Sequence, residues 1–164
     1  MGNPLDSVAA LPERVREILR GGGGRDAKLV ATVRAIRAAA PHYTWVGIYL
    51  LERPGDRELV LHNFVGRPTP HVRIPVDQGI CGAAVRENAT LVVDDVNADP
   101  RYLSCSVETK SEIVVPIRDA RGTAVGELDL DSDSKAAFTP ADRAALERVA
   151  ELLGPIIGSD PISK

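Results

Sequence analysis

Six segments between residues 44 and 132 combine β-branched and aromatic residues with turn residues at their ends, and this pattern predicts six β-strands. The segments read TWVGIYLL, ELVLHNFVG, HVRIPV, TLVVDDV, SEIVVPIRD and TAVGELDLDS. Turn sequences at 54–56 (PGD) and 119–122 (DARG) separate several of them. Because strands and helices do not alternate strictly, we expect an α+β fold with a mostly antiparallel sheet flanked by helices.

Helical spacing of apolar residues appears before these segments. Residues 7–20 carry such a pattern, and Gly21–Gly24 end it because four consecutive glycines cannot sustain a helix. A second helix is predicted over 26–40, with Asp26 as its cap and Pro41 after its end. We expect the first helix to pack on the domain or on a second subunit. The expected division is 1–24 for the helix and glycine hinge, 25–158 for the main domain, and 159–164 for a tail.

Two further helices are predicted later in the chain. Residues 79–88 (GICGAAVREN) form a short helix entered through glycine. The closing helix has Thr139 as its cap, Pro140 in its first position and an apolar stripe behind them.

Three strands carry unusual side chains on one face, because alternate residues of a strand point to opposite sides of the sheet. Trp45 and Tyr49 share a face of the first strand, opposite an apolar face. Glu112 lies on one face of the fifth strand, and Asp129 and Asp131 form an acidic row with Glu127 on the sixth. The row is either a solvated surface or one wall of a pocket. In a pocket, mutual repulsion would raise the carboxyl pKa values, and aromatic rings beside carboxylates would suit a ligand with an ammonium group.

Length and charge exclude several classes of protein. The chain has 164 residues, enough for one domain with a core, and a net charge of −3, which gives no basic surface for nucleic acid. No apolar run reaches the roughly 20 residues of a membrane span, and the first residues show no secretory pattern. We therefore expect a cytoplasmic protein without membrane or nucleic-acid partners.

The two cysteines do not form a disulfide framework and are expected to be thiols in a reducing compartment. Cys81, near a helix start, is either a small core residue or a thiol whose pKa the helix lowers. Cys105 lies in a polar loop, where a reactive role is favoured over a packing role. The cysteines and histidines lack zinc-motif spacing, so neither a metal nor another cofactor is expected.

Several motifs together resemble the GAF-domain family of free methionine-(R)-sulfoxide reductases. These are W-V-G-I-Y, V-R-I-P-V-D-Q-G-I-C-G, C-x(6)-E-I-V-V-P-I, L-D-L-D-S and a closing F-T-x-x-D helix. The resemblance covers roughly residues 26–157. It implies a GAF fold, in which a six-stranded antiparallel sheet lies between helical layers.

The resemblance also implies a site and a chemistry. The position of Cys105 is that of the thiol that attacks the sulfoxide sulfur and becomes a sulfenic acid. The residues expected to line the pocket for free methionine sulfoxide are Trp45, Tyr49, Glu112, Asp129 and Asp131. Glu112 and Asp131 are expected to supply the proton for the departing oxygen, Cys81 to resolve the sulfenic acid, and thioredoxin or another thiol to recycle a homodimeric enzyme.

One position departs from the family pattern, because His71 stands where typical members have a third cysteine, the resolving one. Cys81 or an external thiol would then regenerate Cys105, or the chain has kept the pocket without turnover. His71 itself is either a surface imidazole or a group that stabilises the Cys105 thiolate. The alternatives to an enzyme are a GAF sensor for an amino-acid-like ligand and a thiol switch that responds to peroxide.

Overall fold

The computed structural model describes residues 7–104 and 106–158, so Cys105 lies outside the described residues. The helices are α1 (Leu11–Arg20), α2 (Arg25–Ala39), α3 (Gly79–Glu87) and α4 (Pro140–Gly158). The strands are β1 (Trp45–Leu51), β2 (Glu58–Val65), β3 (Arg73–Pro75), β4 (Leu91–Val93), β5 (Ser111–Arg118) and β6 (Ala124–Ser132). A 3₁₀ turn spans Val96–Ala98.

The six strands form one sheet in the order β3-β2-β1-β6-β5-β4, and every neighbouring pair is antiparallel. This confirms the predicted α+β fold and its six strands. The central strands β1, β6 and β5 are adjacent, although 72 residues separate the end of β1 from the start of β6. Side chains of these three strands therefore meet on each face of the sheet.

One face of the sheet packs against α2 and α4, and α1 packs on these two helices to complete the main core. The predicted apolar face of each central strand lies here, as shown by Ile48, Val115 and Leu128, which are all buried. Leu11 and Val15 of α1 are also buried in this core. The first helix therefore packs on the domain.

The helix starts show which capping predictions are right. At α4, the Thr139 backbone N–H donates to Asp142 Oδ2 at 2.7 Å and the Asp142 N–H donates to Thr139 Oγ1 at 3.3 Å, which confirms the predicted cap. At α2 the predicted Asp26 cap is wrong, because Gly24 occupies that position and makes no side-chain cap. The Asp26 carboxylate instead lies 2.8 Å from His62 Nε2 on β2.

The other face of the sheet is covered by α3, with a second and smaller core that includes Trp45, Tyr49, Cys81 and Val114. Gly82 of α3 allows the close approach of the preceding segment, since a Cβ there would lie 2.6 Å from the Val76 carbonyl oxygen. Helices thus lie on both sides of the sheet, as expected for the GAF fold. Within the described ranges, no helix is long and apolar enough to cross a membrane.

Candidate active site

Four carboxyl side chains lie under α3, on the face of the sheet opposite the main core. Three of them alternate along β6, and the fourth lies on β5 directly opposite Asp131. The acidic cluster consists of Glu112, Glu127, Asp129 and Asp131. Their exposed fractions are 5%, 0%, 3% and 3%, which rules out the solvated-surface interpretation of the acidic row.

An aromatic wall stands beside the acidic cluster on β1. The register of β1 with β6 places Trp45 opposite Asp131 and Tyr49 opposite Glu127. The Trp45 indole stacks on Phe64 with ring centroids 5.6 Å apart, and its Nε1–H donates to the Arg67 carbonyl oxygen at 3.0 Å. The predicted convergence of the aromatic and acidic faces is therefore a feature of the structure.

Two small clefts open onto the acidic cluster from the loops above it. The first is lined by His71, Ile74, Gly79, Ile80, Cys81, Leu103, Glu112 and Asp129. The second is lined by Trp45, Arg67, Pro68, Thr69, Ser106, Thr109 and Asp131. Leu103 lines one cleft and Ser106 the other, so loop residues on both sides of position 105 reach the acidic cluster.

Burial raises the carboxyl pKa values in this cluster. The pKa values of Glu127 and Asp131 are raised well above the usual range, first by desolvation and then by the negative charge of Asp129. Desolvation also raises the pKa of Asp129. The predicted direction is confirmed, but burial is the larger cause and mutual repulsion is secondary.

The carboxyl groups of the acidic cluster must share protons. Two ionised carboxylates can only accept hydrogen bonds, so neither can donate one to the other. The Glu112 carboxyl lies against both Asp129 and Asp131. Asp129 Oδ1 and Asp131 Oδ1 are buried and accept no bond from a donor group of residues 7–104 or 106–158. A carboxyl that keeps its proton near neutral pH can act as a general acid.

Cys81 faces the acidic cluster from the third position of α3. Its thiol is buried and donates to Asp129 Oδ2, with Sγ 3.3 Å from that oxygen. Burial, followed by the charges of Asp129 and Glu127, raises the thiol pKa well above its ordinary value. The expectation that the helix start lowers this pKa is wrong, because the side chain points away from solvent and towards carboxylates.

His71 connects the aromatic wall to the loop that carries Cys105. The Tyr49 hydroxyl donates to the His71 backbone oxygen at 2.7 Å. The His71 ring Nε2 lies 2.8 Å from the Ser104 carbonyl oxygen, and a carbonyl only accepts, so Nε2 carries the hydrogen. The His71 side chain is half-buried, and its ring is bonded to the residue that precedes position 105.

The sequence pattern predicts that Glu127 lies on the acidic face, but Glu127 is not among the predicted site residues. Its i, i+2 spacing from Asp129 is the signal that identifies it. Arg67 is a second addition, because it pairs with Asp133 at 2.6 Å and accepts the Trp45 hydrogen bond through its backbone. Arg67 lies in a loop, where no periodic pattern indicates which residues approach the site.

The comparisons with known proteins agree with this architecture. Residues 26–157 match the GAF domain family. The chain is 30% identical over 162 residues to the free methionine-R-sulfoxide reductase of Escherichia coli strain K12, covering 99% of this chain and 95% of that protein.

Two solved structures extend the likeness. The free methionine-R-sulfoxide reductase of Neisseria meningitidis in complex with its substrate has a TM-score of 0.87 and 30% identity, covering 100% of this chain and 96% of that one. The type II free methionine-R-sulfoxide reductase of Thermoplasma acidophilum has a TM-score of 0.74 and 39% identity, with 90% and 94% covered. The chain therefore belongs to the GAF-domain family of free methionine-R-sulfoxide reductases.

Proposed function

We propose that this protein reduces free L-methionine-(R)-sulfoxide to L-methionine. The observation that carries the proposal is the acidic cluster buried beside the aromatic wall. Among the described residues, no lysine, arginine or histidine forms an ion pair with Glu127, Asp129 or Asp131 within 4.0 Å. Buried carboxylates are stabilised by a cation, and the ammonium group of an amino acid supplies one.

The same geometry accounts for selection of the free amino acid. The ammonium group binds Asp129, Asp131 and Glu112, while Trp45 and Tyr49 flank the methyl sulfoxide or the ammonium group. A methionine sulfoxide residue inside a polypeptide has an amide in place of that ammonium group. Peptide-bound sulfoxide would leave the acidic cluster without its cation and is excluded on that ground.

In net terms, the redox step transfers oxygen from the substrate sulfur to the sulfur of Cys105. The Cys105 thiolate attacks the sulfoxide sulfur and forms a sulfur–sulfur bond, while the sulfur–oxygen bond breaks as Glu112 or Asp131 protonates the oxygen, which leaves as water after taking up two protons in all. Water then attacks the Cys105 sulfur, the sulfur–sulfur bond breaks, and methionine leaves with that electron pair as one proton is released. In sum, the substrate sulfur gains two electrons, and the Cys105 sulfur loses two and becomes a sulfenic acid. The raised pKa of Asp131 favours the protonated form of its carboxyl, which is the form that can donate to the departing oxygen.

Regeneration consumes two further thiols. A thiol condenses with the sulfenic acid, releasing water and leaving a disulfide, and a second thiol then reduces that disulfide. Cys81 takes the first role only if its buried thiol leaves Asp129 and loses its proton, whereas an external thiol needs no such change. The proposed reductant is thioredoxin or another cytoplasmic thiol, and the proposed assembly is a homodimer.

The test is a thioredoxin- or dithiothreitol-coupled assay with three substrates: the free R epimer, the free S epimer, and N-acetyl-methionine-(R)-sulfoxide. We expect turnover of the free R epimer alone, because acetylation removes the ammonium charge. Equal turnover of the acetylated compound would contradict the role of the acidic cluster. Saturable binding of the free sulfoxide without any reduction would indicate the sensor instead.

A further inference from the structure

The donor atoms around the Cys81 thiol are arranged as metal ligands are. Sγ of Cys81, one carboxylate oxygen of Glu112 and one of Asp129 all lie within 4.8 Å of one another, and all three side chains are buried. Sγ lies 3.3 Å from Asp129 Oδ2. Tetrahedral Zn²⁺ with ordinary bond lengths places a sulfur and an oxygen ligand about 3.5 Å apart, so this pair already has the required separation.

Glu127 lies beside the Cys81 thiol, next to this group of three donors, and is the candidate for a fourth ligand. This side chain is fully buried, and its carboxylate lies close enough to the Cys81 thiol to raise the pKa of that thiol. Neither of its oxygens accepts a hydrogen bond from a nitrogen or hydroxyl donor in the described part of the chain. Glu127 is therefore a buried carboxylate aimed at the same group of donors, with capacity for a cation.

The charge of the cluster also favours a divalent ion. Without a cation, the Cys81 thiol donates its hydrogen to Asp129, and the Glu112 carboxyl lies against the same side chain. A divalent cation can displace the thiol proton and compensate the negative charges around it. A set of one thiolate and carboxylates selects zinc or cadmium, whereas magnesium and calcium prefer oxygen ligands alone.

We propose that Cys81, Glu112, Asp129 and Glu127 form a Zn²⁺ site. Zinc in this site and the ammonium group of a bound substrate exclude each other. The metal site stands on the donor geometry, and only the competition with substrate rests on the proposed function. Glu112 follows Cys81 by 31 positions and Asp129 follows Glu112 by 17, so no spacing motif indicates the site in the sequence. Occupation by zinc would lower the activity until excess substrate, a chelator or a competing thiol displaces the metal.

The first test uses the Cys105→Ser variant, in which Cys81 is the remaining thiol of the two in the chain. Cadmium is added to this variant in chelator-free buffer, and the ultraviolet band of thiolate-to-cadmium charge transfer is recorded. A band that saturates at one cadmium per chain supports the site, since no other thiol can produce it. The absence of a band at excess cadmium overturns the proposed site. The experiment uses the folded, full-length protein.

The second test measures Zn²⁺ affinity by calorimetry in the same Cys105→Ser background. We expect one site whose affinity falls at least tenfold on adding Asp129→Asn and is unchanged on adding Glu151→Gln, an exposed control carboxylate. Affinity should also rise with pH, because metal binding releases protons. Equal affinity for all three proteins would mean adventitious surface binding and would overturn the proposal.

The competition is tested with the wild-type protein and the free R-sulfoxide. Zinc should raise the apparent KM without changing the extrapolated kcat, and EDTA should reverse the effect. Zinc binding in the first two tests with no effect on KM would overturn the competition and leave the metal site standing. Turnover of the sulfoxide with no zinc binding would overturn the metal site and leave the proposed function standing.

Discussion

Gly47→Ala places a methyl group where the Trp45 indole lies. Gly47 is on the pocket face of β1, between Trp45 and Tyr49, and the indole folds back over it. A Cβ at position 47 would lie 2.4 Å from Trp45 Cη2 and 2.7 Å from Cζ3. Ordinary carbon contacts are roughly 3.5–4.0 Å, so the ring has to move by about 1 Å.

The cost of that movement follows from what holds the ring. Phe64 stacks on it at 5.6 Å, and a Cβ at Gly66 would be only 2.6 Å from Trp45 Cδ1, so little space is free around the indole. Overpacking of this kind costs about 1–3 kcal/mol, and loss of the Nε1–H bond to Arg67 costs about 0.5–1.5 kcal/mol. We expect the free energy of unfolding to fall by about 2–4 kcal/mol.

Thermal denaturation followed by circular dichroism measures this loss, with a fall in Tm of about 4–16 °C expected for a chain of this size. The displaced indole should also raise KM for the sulfoxide. The matched control is Gly22→Ala, because no atom lies within 4 Å of a Cβ at Gly22 and its backbone needs no special conformation. A Gly47→Ala protein with the Tm and KM of the control would refute the close packing of Trp45 against the strand.

Three further predictions concern the acidic cluster, the loop and the last helix. The Glu127 pKa is raised in the folded state, so the folded protein holds a proton that the unfolded chain releases above about pH 4. The free energy of unfolding therefore falls as the pH rises above that value. Glu127→Gln should flatten this fall in urea titrations from pH 5 to pH 8, and an unchanged slope would argue against an ionisable Glu127. His71→Ala removes the bond to Ser104 and should lower kcat about fivefold, the equivalent of one hydrogen bond. His71→Gln should restore part of the lost kcat. The same kcat in the wild type and both variants would show that His71 does not support the loop. Thr139→Ala removes the α4 cap and should cost about 1 kcal/mol in urea denaturation; a loss below a few tenths would show that Asp142 caps the helix unaided.

The sheet and its two faces follow from the sequence because period-2 alternation is a local property of each strand. Trp45 and Tyr49 share a face in any extended conformation, and so do Asp129 and Asp131. Periodicity does not determine which strands are neighbours. The adjacency of β1, β6 and β5 depends on the packing of the whole chain, and this adjacency brings the aromatic wall to the acidic cluster.

Burial and long-range contacts account for what the sequence did not predict. Cys81 has a raised thiol pKa because α3 turns it towards Asp129, 48 residues later in the chain. The His71 ring contacts the Ser104 carbonyl across 33 residues, and Ser104 lies in a loop without a periodic pattern. Asp26 pairs with His62 on β2, so its side chain does not cap α2 as the local sequence predicts.

The central claim is tested most directly by a single turnover without added reductant. Fully reduced protein is mixed with excess free R-sulfoxide, methionine is quantified, and the remaining thiols are counted. The wild type should form one methionine per chain and Cys105→Ser none, with two thiols lost if Cys81 resolves the sulfenic acid and one if it does not. Stoichiometric methionine from Cys105→Ser would contradict the account.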